Sequence, residues 1–222
     1  MELEISHIKK SFKNKSVLKD ITLCAQPGSC IGILGGNGCG KTTLLSILAG
    51  TLDADGGSFS WKGKELLRDK KQRSRTIGYV PQGTPLFEEL SAKDNLRLWY
   101  SRREMKAELE SGVLALLGID EFLHMPVNKM SGGMKKRLSI GCAVAGKQPV
   151  LLLDEPTAAL DLVCKQRIWD YLTDYQQKGG IILLVTHDVQ EIERCDSCYL
   201  MKDGELVEYQ YDGDVRRLVG QL

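Results

Sequence analysis

Gly35-Gly36-Asn37-Gly38-Cys39-Gly40-Lys41-Thr42 fits the pattern G-x-x-x-x-G-K-[ST] and stands between an apolar run, Cys30–Leu34, and a helical one, Lys41–Ala49. Glycines let the backbone close around phosphate with several N–H groups pointing inward. The positive end of a helix beginning near Lys41 adds a favourable field for an anion. Lys41 is placed to neutralise β- and γ-phosphates, the Thr42 hydroxyl to hold Mg²⁺, and Thr43 to offer a hydroxyl to a nearer phosphate. The alternative is a glycine-rich turn that matches by chance, and the strand-loop-helix flanks speak against it. This stretch predicts a nucleoside triphosphate site.

Val150-Leu151-Leu152-Leu153-Asp154-Glu155 is an apolar run ending in two carboxylates. A buried strand delivers side chains rigidly to its C-terminal edge, where open α/β sheets bind their ligands. Asp154 is suited to the Mg²⁺ shell and Glu155 to polarising a water for in-line attack on the γ-phosphorus. An Asp-Glu pair capping a helix is the blander reading. His187 ends the next apolar run, and strand order puts it on the same sheet edge as Glu155. Ser131-Gly132-Gly133 opens a further helix with a natural N-cap and two small residues, which makes a second anion-ready helix start or simply an ordinary capped one. The Lys135-Lys136-Arg137 run just behind it could serve a phosphate or a partner, but reads better as a solvated basic face.

These residues need a scaffold, and the hydrophobic pattern supplies one. Leu3 and Ile5, then Val17, Ile21 and Leu23, alternate with polar neighbours across a Lys13-Asn14-Lys15 turn, which predicts two early strands. Gly50 closes the helix after the glycine loop. Strand pattern returns around Ser58–Trp61 and Thr76–Val80, and helical texture runs from about Ser91 to Gln148. Val150–Leu153 and Ile181–Val185 read as strands buried on both faces of a parallel sheet. Asp203-Gly204 predicts a hairpin turn near the end. The fold expected is α/β, with the helical stretch inserted into its core.

Composition narrows the class further. The 222 residues are 42% hydrophobic and 27% charged, and the net charge is +1. That fits a globular protein with a core and gives no global field for nucleic acid or anionic lipid. No apolar run exceeds five residues, as in Ile181–Val185, far short of the roughly 18 residues that span a bilayer. The polar, acidic N-terminus is unlike a secretory signal, and seven scattered cysteines read as reduced thiols in a cytosol. Cys195-x-x-Cys198 has zinc-like spacing without a second pair, so burial as small apolar side chains is the better reading. Trp61, Trp99 and Trp169 read as core or partner-facing residues.

Taken together, these residues resemble the ATP-binding cassette (ABC) ATPases over essentially the whole chain. Gly35–Thr42 is similar to the Walker A loop and Val150–Glu155 to the Walker B strand. Tyr79-Val80-Pro81-Gln82 resembles the Q-loop, Met130-Ser131-Gly132-Gly133-Met134 the family signature, Ala159-Leu160-Asp161 the D-loop and Val185-Thr186-His187-Asp188 the H-switch. The resemblance implies a phosphate-loop NTPase (RecA-like) core with a mostly parallel sheet. It implies an antiparallel β subdomain at about 1–30 and 51–75, an ATP-binding core at 31–50, 76–84 and 148–222, and a helical insertion at 85–147, all in one domain.

The same resemblance implies a function. Two such domains sandwich two ATP molecules head to tail, each site pairing one chain's Walker motifs with Ser131, Gly132 and Gly133 of the other. Phe12 falls where an aromatic stacks on adenine and Val17 where an apolar side chain packs beside it. Gln82 would touch Mg²⁺ or the attacking water, and Asp161 would communicate across the dimer. Pro85–Trp99 lies where a membrane partner's helix docks. Met130 and Met134 depart from the commonest leucine and glutamine, Gly36 from a frequent proline, and Cys39 from alanine or serine. None of these removes a charged or catalytic group.

The implied protein is an ATP-hydrolysing subunit working with a separate membrane permease at the inner face of the cell membrane, with a second cassette as homo- or heterodimer partner and no nucleic acid. Only 35 residues follow His187, too few for the appended regulatory domain of some importers. Pro85-Leu86-Phe87 and the wording from Gly133 to Ser139 are similar to ABC-2 exporters. The alternative is a soluble ABC ATPase of a non-transport machine, such as cluster assembly, DNA repair or ribosome remodelling. Repair-type members carry a long coiled coil and ribosomal ones join two cassettes by a charged linker, and this sequence has neither. A kinase or GTPase would lack the Ser131-Gly132-Gly133 helix.

Overall fold

The computed structural model describes residues 2–13 and 15–221; Asn14, part of the expected first turn, lies outside them. In chain order the elements are strands β1 (Leu3–Phe12), β2 (Lys15–Ala25) and β3 (Cys30–Leu34), helix α1 (Lys41–Ala49), strands β4 (Gly56–Trp61) and β5 (Lys64–Glu65), helix α2 (Lys70–Thr76) and strand β6 (Ile77–Val80). Helices α3 (Ala92–Leu96), α4 (Arg102–Ser111), α5 (Val113–Leu116) and α6 (Gly132–Ala143) follow without an intervening strand. Strand β7 (Val150–Asp154), helix α7 (Leu162–Gln177), strand β8 (Ile181–Val185), helix α8 (Val189–Ile192), strands β9 (Ser197–Lys202) and β10 (Glu205–Tyr209), and helix α9 (Val215–Gln221) complete the chain.

The strands form one sheet in the order β5-β4-β1-β2-β10-β9-β3-β8-β7-β6. From β9 to β6 every neighbouring pair is parallel, while β2, β1, β4 and β5 are antiparallel to one another. Consecutive residues of β7 and β8 bury on opposite faces. Leu151, Leu153, Ile182 and Leu184 pack with Leu138, Ile168 and Leu172 on one side. Val150, Leu152, Ile181, Leu183 and Val185 pack with Leu44, Leu45 and Leu48 on the other. A period-two strand covered on both sides must be apolar at every position, which is why these two segments show no alternation. The parallel strands therefore end together at one fixed edge.

One helix has no apolar stripe to reveal it. Helix α2, KKQRSRT, fills the gap between two predicted strands and takes Thr76 from the second, and it is set by its ends: Gln72 N–H donates to the Asp69 side chain as an N-cap. Arg73 is buried and donates to the Leu67 carbonyl. Helix α9 buries only Leu218. Of the tryptophans, Trp169 is buried, Trp61 half-buried and Trp99 exposed.

Candidate functional site

The glycine loop joins the C-terminal end of β3 to α1, as its spacing requires. Gly35 (φ 150°) and Gly40 (φ 118°) adopt conformations that L side chains rarely reach, and a Cβ at Gly35 would stand 2.6 Å from the Met201 carbonyl oxygen. Gly40 caps α1 with no side-chain hydrogen bond, so the first-turn N–H groups have no side-chain competitor for an anion. Lys41 is buried and folds back on its own loop, Nζ donating to the carbonyls of Gly35 (2.6 Å) and Gly36 (3.0 Å). A phosphate oxygen would exchange these neutral acceptors for a charged one.

Asp154 ends β7 and Glu155 follows it. The Thr42 hydroxyl donates to Asp154 Oδ2 at 2.9 Å, bringing two hard oxygen donors together as Mg²⁺ chemistry requires. Asp154 is buried, and desolvation by that burial, with the Glu155 charge adding to it, raises its carboxyl above the usual range. Glu155 has φ 48°, an unusual backbone for a side chain, and its N–H is held by the Val185 carbonyl at 2.9 Å. Its carboxylate accepts from Gln82 Nε2 at 3.0 Å and lies 3.5 Å from His187 Nε2. Desolvation first, and then the Lys41 charge, hold the His187 imidazole below its ordinary value, so the neutral ring is favoured. Behind it, Lys165 pairs with Asp188 at 2.5 Å and Thr157 donates to the buried Glu191 at 2.5 Å, fixing the loops that follow β7 and β8.

Val17, Asn37, Gly38, Gly40, Lys41, Thr42, Thr43, Gln82, Asp154 and Glu155 together line a cleft of about 310 Å³. His187 reaches it through Glu155, while Cys39 lies beside Lys41, Sγ to Nζ 3.8 Å. Phe12, 45% exposed at the end of β1, is not among the lining residues. Ser131 caps α6 by accepting from Met134 N–H at 3.2 Å, but neither it, Gly132 nor Gly133 lines the cleft. Gly133 instead packs against α7, where a Cβ would meet Cys164 Sγ at 2.5 Å. Asp161 is exposed and caps α7 by accepting from Cys164 N–H at 2.9 Å.

One reading is overturned. Lys135-Lys136-Arg137 is not a solvated basic face: Lys136 and Arg137 are each 5% exposed. Lys136 donates to the carbonyls of Pro81 (2.8 Å) and Gln82 (3.3 Å), and burial pushes its ammonium down to about 8. Arg137 donates to the Leu117 carbonyl at 2.8 Å and lies over the Phe122 ring at 4.9 Å. Both are buried because backbone carbonyls and an aromatic face replace their water. Their positions beside Gly133 and Ile140 on one side of α6 are the signal that would have revealed them. Among the described residues no cluster of three or more His, Cys, Asp or Glu side chains is arranged for a metal ion. Cys198 is buried and Cys195 half-buried against Cys30, Sγ to Sγ 3.8 Å. No helix among the described residues is long and apolar enough to cross a membrane.

Comparison with known proteins agrees with this geometry. The profile of the family described as ABC transporter matches residues 18–158. The linearmycin resistance ATP-binding protein LnrL of Bacillus subtilis is 30% identical over 92% of this chain and 68% of its own length. The sulfate/thiosulfate import ATP-binding protein CysA of Neisseria meningitidis serogroup B is 34% identical over 93% of this chain and 60% of its own length. A dimeric ATP-binding cassette solved in a post-hydrolysis state with ADP and Pi superposes with a TM-score of 0.81 at 26% identity, covering 96% of this chain and all of that one.

Proposed function

Since this chain belongs to the ABC transporter family, we propose that it is the ATP-hydrolysing subunit of a transporter whose membrane permease is a separate chain. The observation that carries this reading is the convergence, on one sheet edge, of the glycine loop with the Thr42–Asp154 and Gln82–Glu155 pairs. Lys41 leaves the Gly35 and Gly36 carbonyls for the β- and γ-phosphates, and the loop N–H groups hold the remaining phosphate oxygens. Thr42 and Asp154, with Gln82, would hold Mg²⁺, which offsets phosphate charge when bound. Glu155 accepts the proton of the attacking water, Gln82 orients its carboxylate, and His187 meets the γ-phosphate side of that carboxylate. Phe12 and Val17 take the adenine side. Residues 85–147, the helical insertion, carry Ser131, Gly132 and Gly133 toward the ATP of a second cassette, with Asp161 at the same junction. The β subdomain (1–30 and 51–75) and the core (31–50, 76–84 and 148–222) hold the nucleotide.

The relatives include a resistance protein and an importer subunit, and the Gly133–Ser139 wording favours the export side. By this reading the chain sits at the inner face of the cell membrane through its permease. Affinity purification of the tagged chain from detergent-solubilised membranes is expected to bring down an integral membrane protein. Recovery only from the soluble fraction, without one, would favour the non-transport machine.

Cys39 gives a second check. Its thiol is half-buried beside Lys41, so a bulky maleimide there would fill the phosphate cradle. Alkylation is expected to inhibit ATP hydrolysis, Mg-ATP to protect, and Cys39→Ala to resist. Equal inhibition of Cys39→Ala would assign the effect to another of the seven thiols.

A further inference from the structure

Helix α6 and the cleft meet through one buried side chain. Lys136 lies on α6 beyond the Ser131 cap, yet its Nζ ends at the sheet edge, donating to Pro81 O at 2.8 Å and Gln82 O at 3.3 Å, with Asp154 O at 3.5 Å. An ammonium has three N–H donors, and here each finds one main-chain carbonyl. Among the described residues no carboxylate comes within ion-pairing distance of Lys136, so the contact fixes backbone position more than it neutralises charge. Removing a buried donor set of this kind leaves carbonyls without partners in a dry environment.

The neighbouring residue extends the attachment. Lys135 pairs with Glu88 at 2.8 Å. Asn95, buried in α3, accepts from Phe87 N–H at 2.9 Å and donates to Phe87 O at 3.1 Å. The stretch from Pro81 to Glu88 is thus fastened to α6 at both ends by adjacent lysines. One end carries Gln82, whose amide meets Glu155, and the other carries Phe87, 59% exposed. A shift of α6 has a direct mechanical route to Gln82.

We propose that Lys136 is a positioning residue for ATP hydrolysis, holding the Pro81–Gln82 main chain so that the Gln82 amide meets Glu155 only when α6 is in place. This rests on the roles proposed above for Gln82 and Glu155. Lys136 touches no reacting atom and acts through Gln82.

The test compares full-length Lys136→Met, which keeps the length of the stem and loses the donors, with Lys136→Arg, which restores them. Lys136→Met is expected to bind Mg-ATP and show a KM within about twofold of wild type while kcat falls about tenfold. In the nucleotide-free protein, amide exchange in the peptide spanning 81–84 is expected to speed up about tenfold, with β3 and α1 unchanged. Lys136→Arg is expected to recover most of both. A folded Lys136→Met with wild-type kcat, or one whose exchange rises evenly across the sheet, would overturn the proposal. If Lys136→Met does not fold, Lys136→Leu, which is shorter and likewise has no donor, is read by the same criteria. The exchange measurement needs no turnover. An inactive wild type would therefore count against the functional reading, while the hold on the 81–84 segment would still be decided.

Discussion

Glu155→Gln is expected to hold Mg-ATP as tightly as wild type while turnover falls roughly 10²–10⁴-fold, the range for loss of a general base. The substitution preserves shape, and the new amide oxygen still accepts from Gln82 Nε2, now 3.0 Å from the carboxylate, so binding geometry survives. What disappears is a group able to take the proton of the attacking water. Lys41→Ala should fail differently. It removes charge-assisted hydrogen bonds from the phosphate cradle, and at about 1.5–3 kcal/mol for such bonds ATP affinity should fall at least about tenfold along with turnover. Equilibrium binding and steady-state hydrolysis on the purified variants separate the two patterns. Near-normal hydrolysis by Glu155→Gln would remove Glu155 from the base role and leave His187, 3.5 Å away, as the next group to examine.

The cleft was legible in the sequence because its chemistry sits at the junctions of regular elements. The run Cys30–Leu34 forms β3, the pattern from Lys41 forms α1 ending at Gly50, and Asp154 closes β7. Alternating or continuous apolar patterns fix such elements, and the loops between them inherit their places. The Asp203-Gly204 hairpin and the Ser131 cap were readable for the same reason, since both depend on local chemistry. Helix α2 was not, because it is set by its end contacts and the buried Arg73 instead of a stripe. Lys136 and Arg137 were misread for a related reason. A basic triplet predicts solvent only while backbone acceptors are out of reach, and here carbonyls from residues 81, 82 and 117 are brought in by the fold. The partners themselves have no local sequence signal; only the place of both residues on the Gly133–Ile140 side of α6 hints at burial.

The two helix N-termini lead to the last expectation. Within one chain, the N-terminus of α1 faces the cleft, while Ser131, Gly132 and Gly133 at the start of α6 do not line it. One molecule therefore encloses a γ-phosphate from one side only. If a second copy supplies Ser131 from the other side, ATP becomes the shared ligand that holds the pair together, and phosphate release lets it part. Glu155→Gln with Mg-ATP is then expected to form a dimer, because the ligand is bound and not consumed, while nucleotide-free and ADP-bound protein stay monomeric. Adding Ser131→Arg puts bulk and positive charge at an exposed helix start and removes the Ser131 cap on Met134 N–H. A lost cap costs about 1 kcal/mol, too little to unfold the chain, so the double variant should still bind ATP as a monomer. The dimer should be gone. Light scattering after size exclusion, with and without nucleotide, reads both results. A mass that never responds to nucleotide would point to an obligate heterodimer with a different cassette. An ATP-dependent dimer that survives Ser131→Arg would mean that another surface bridges the chains, and the head-to-tail arrangement would fall with it.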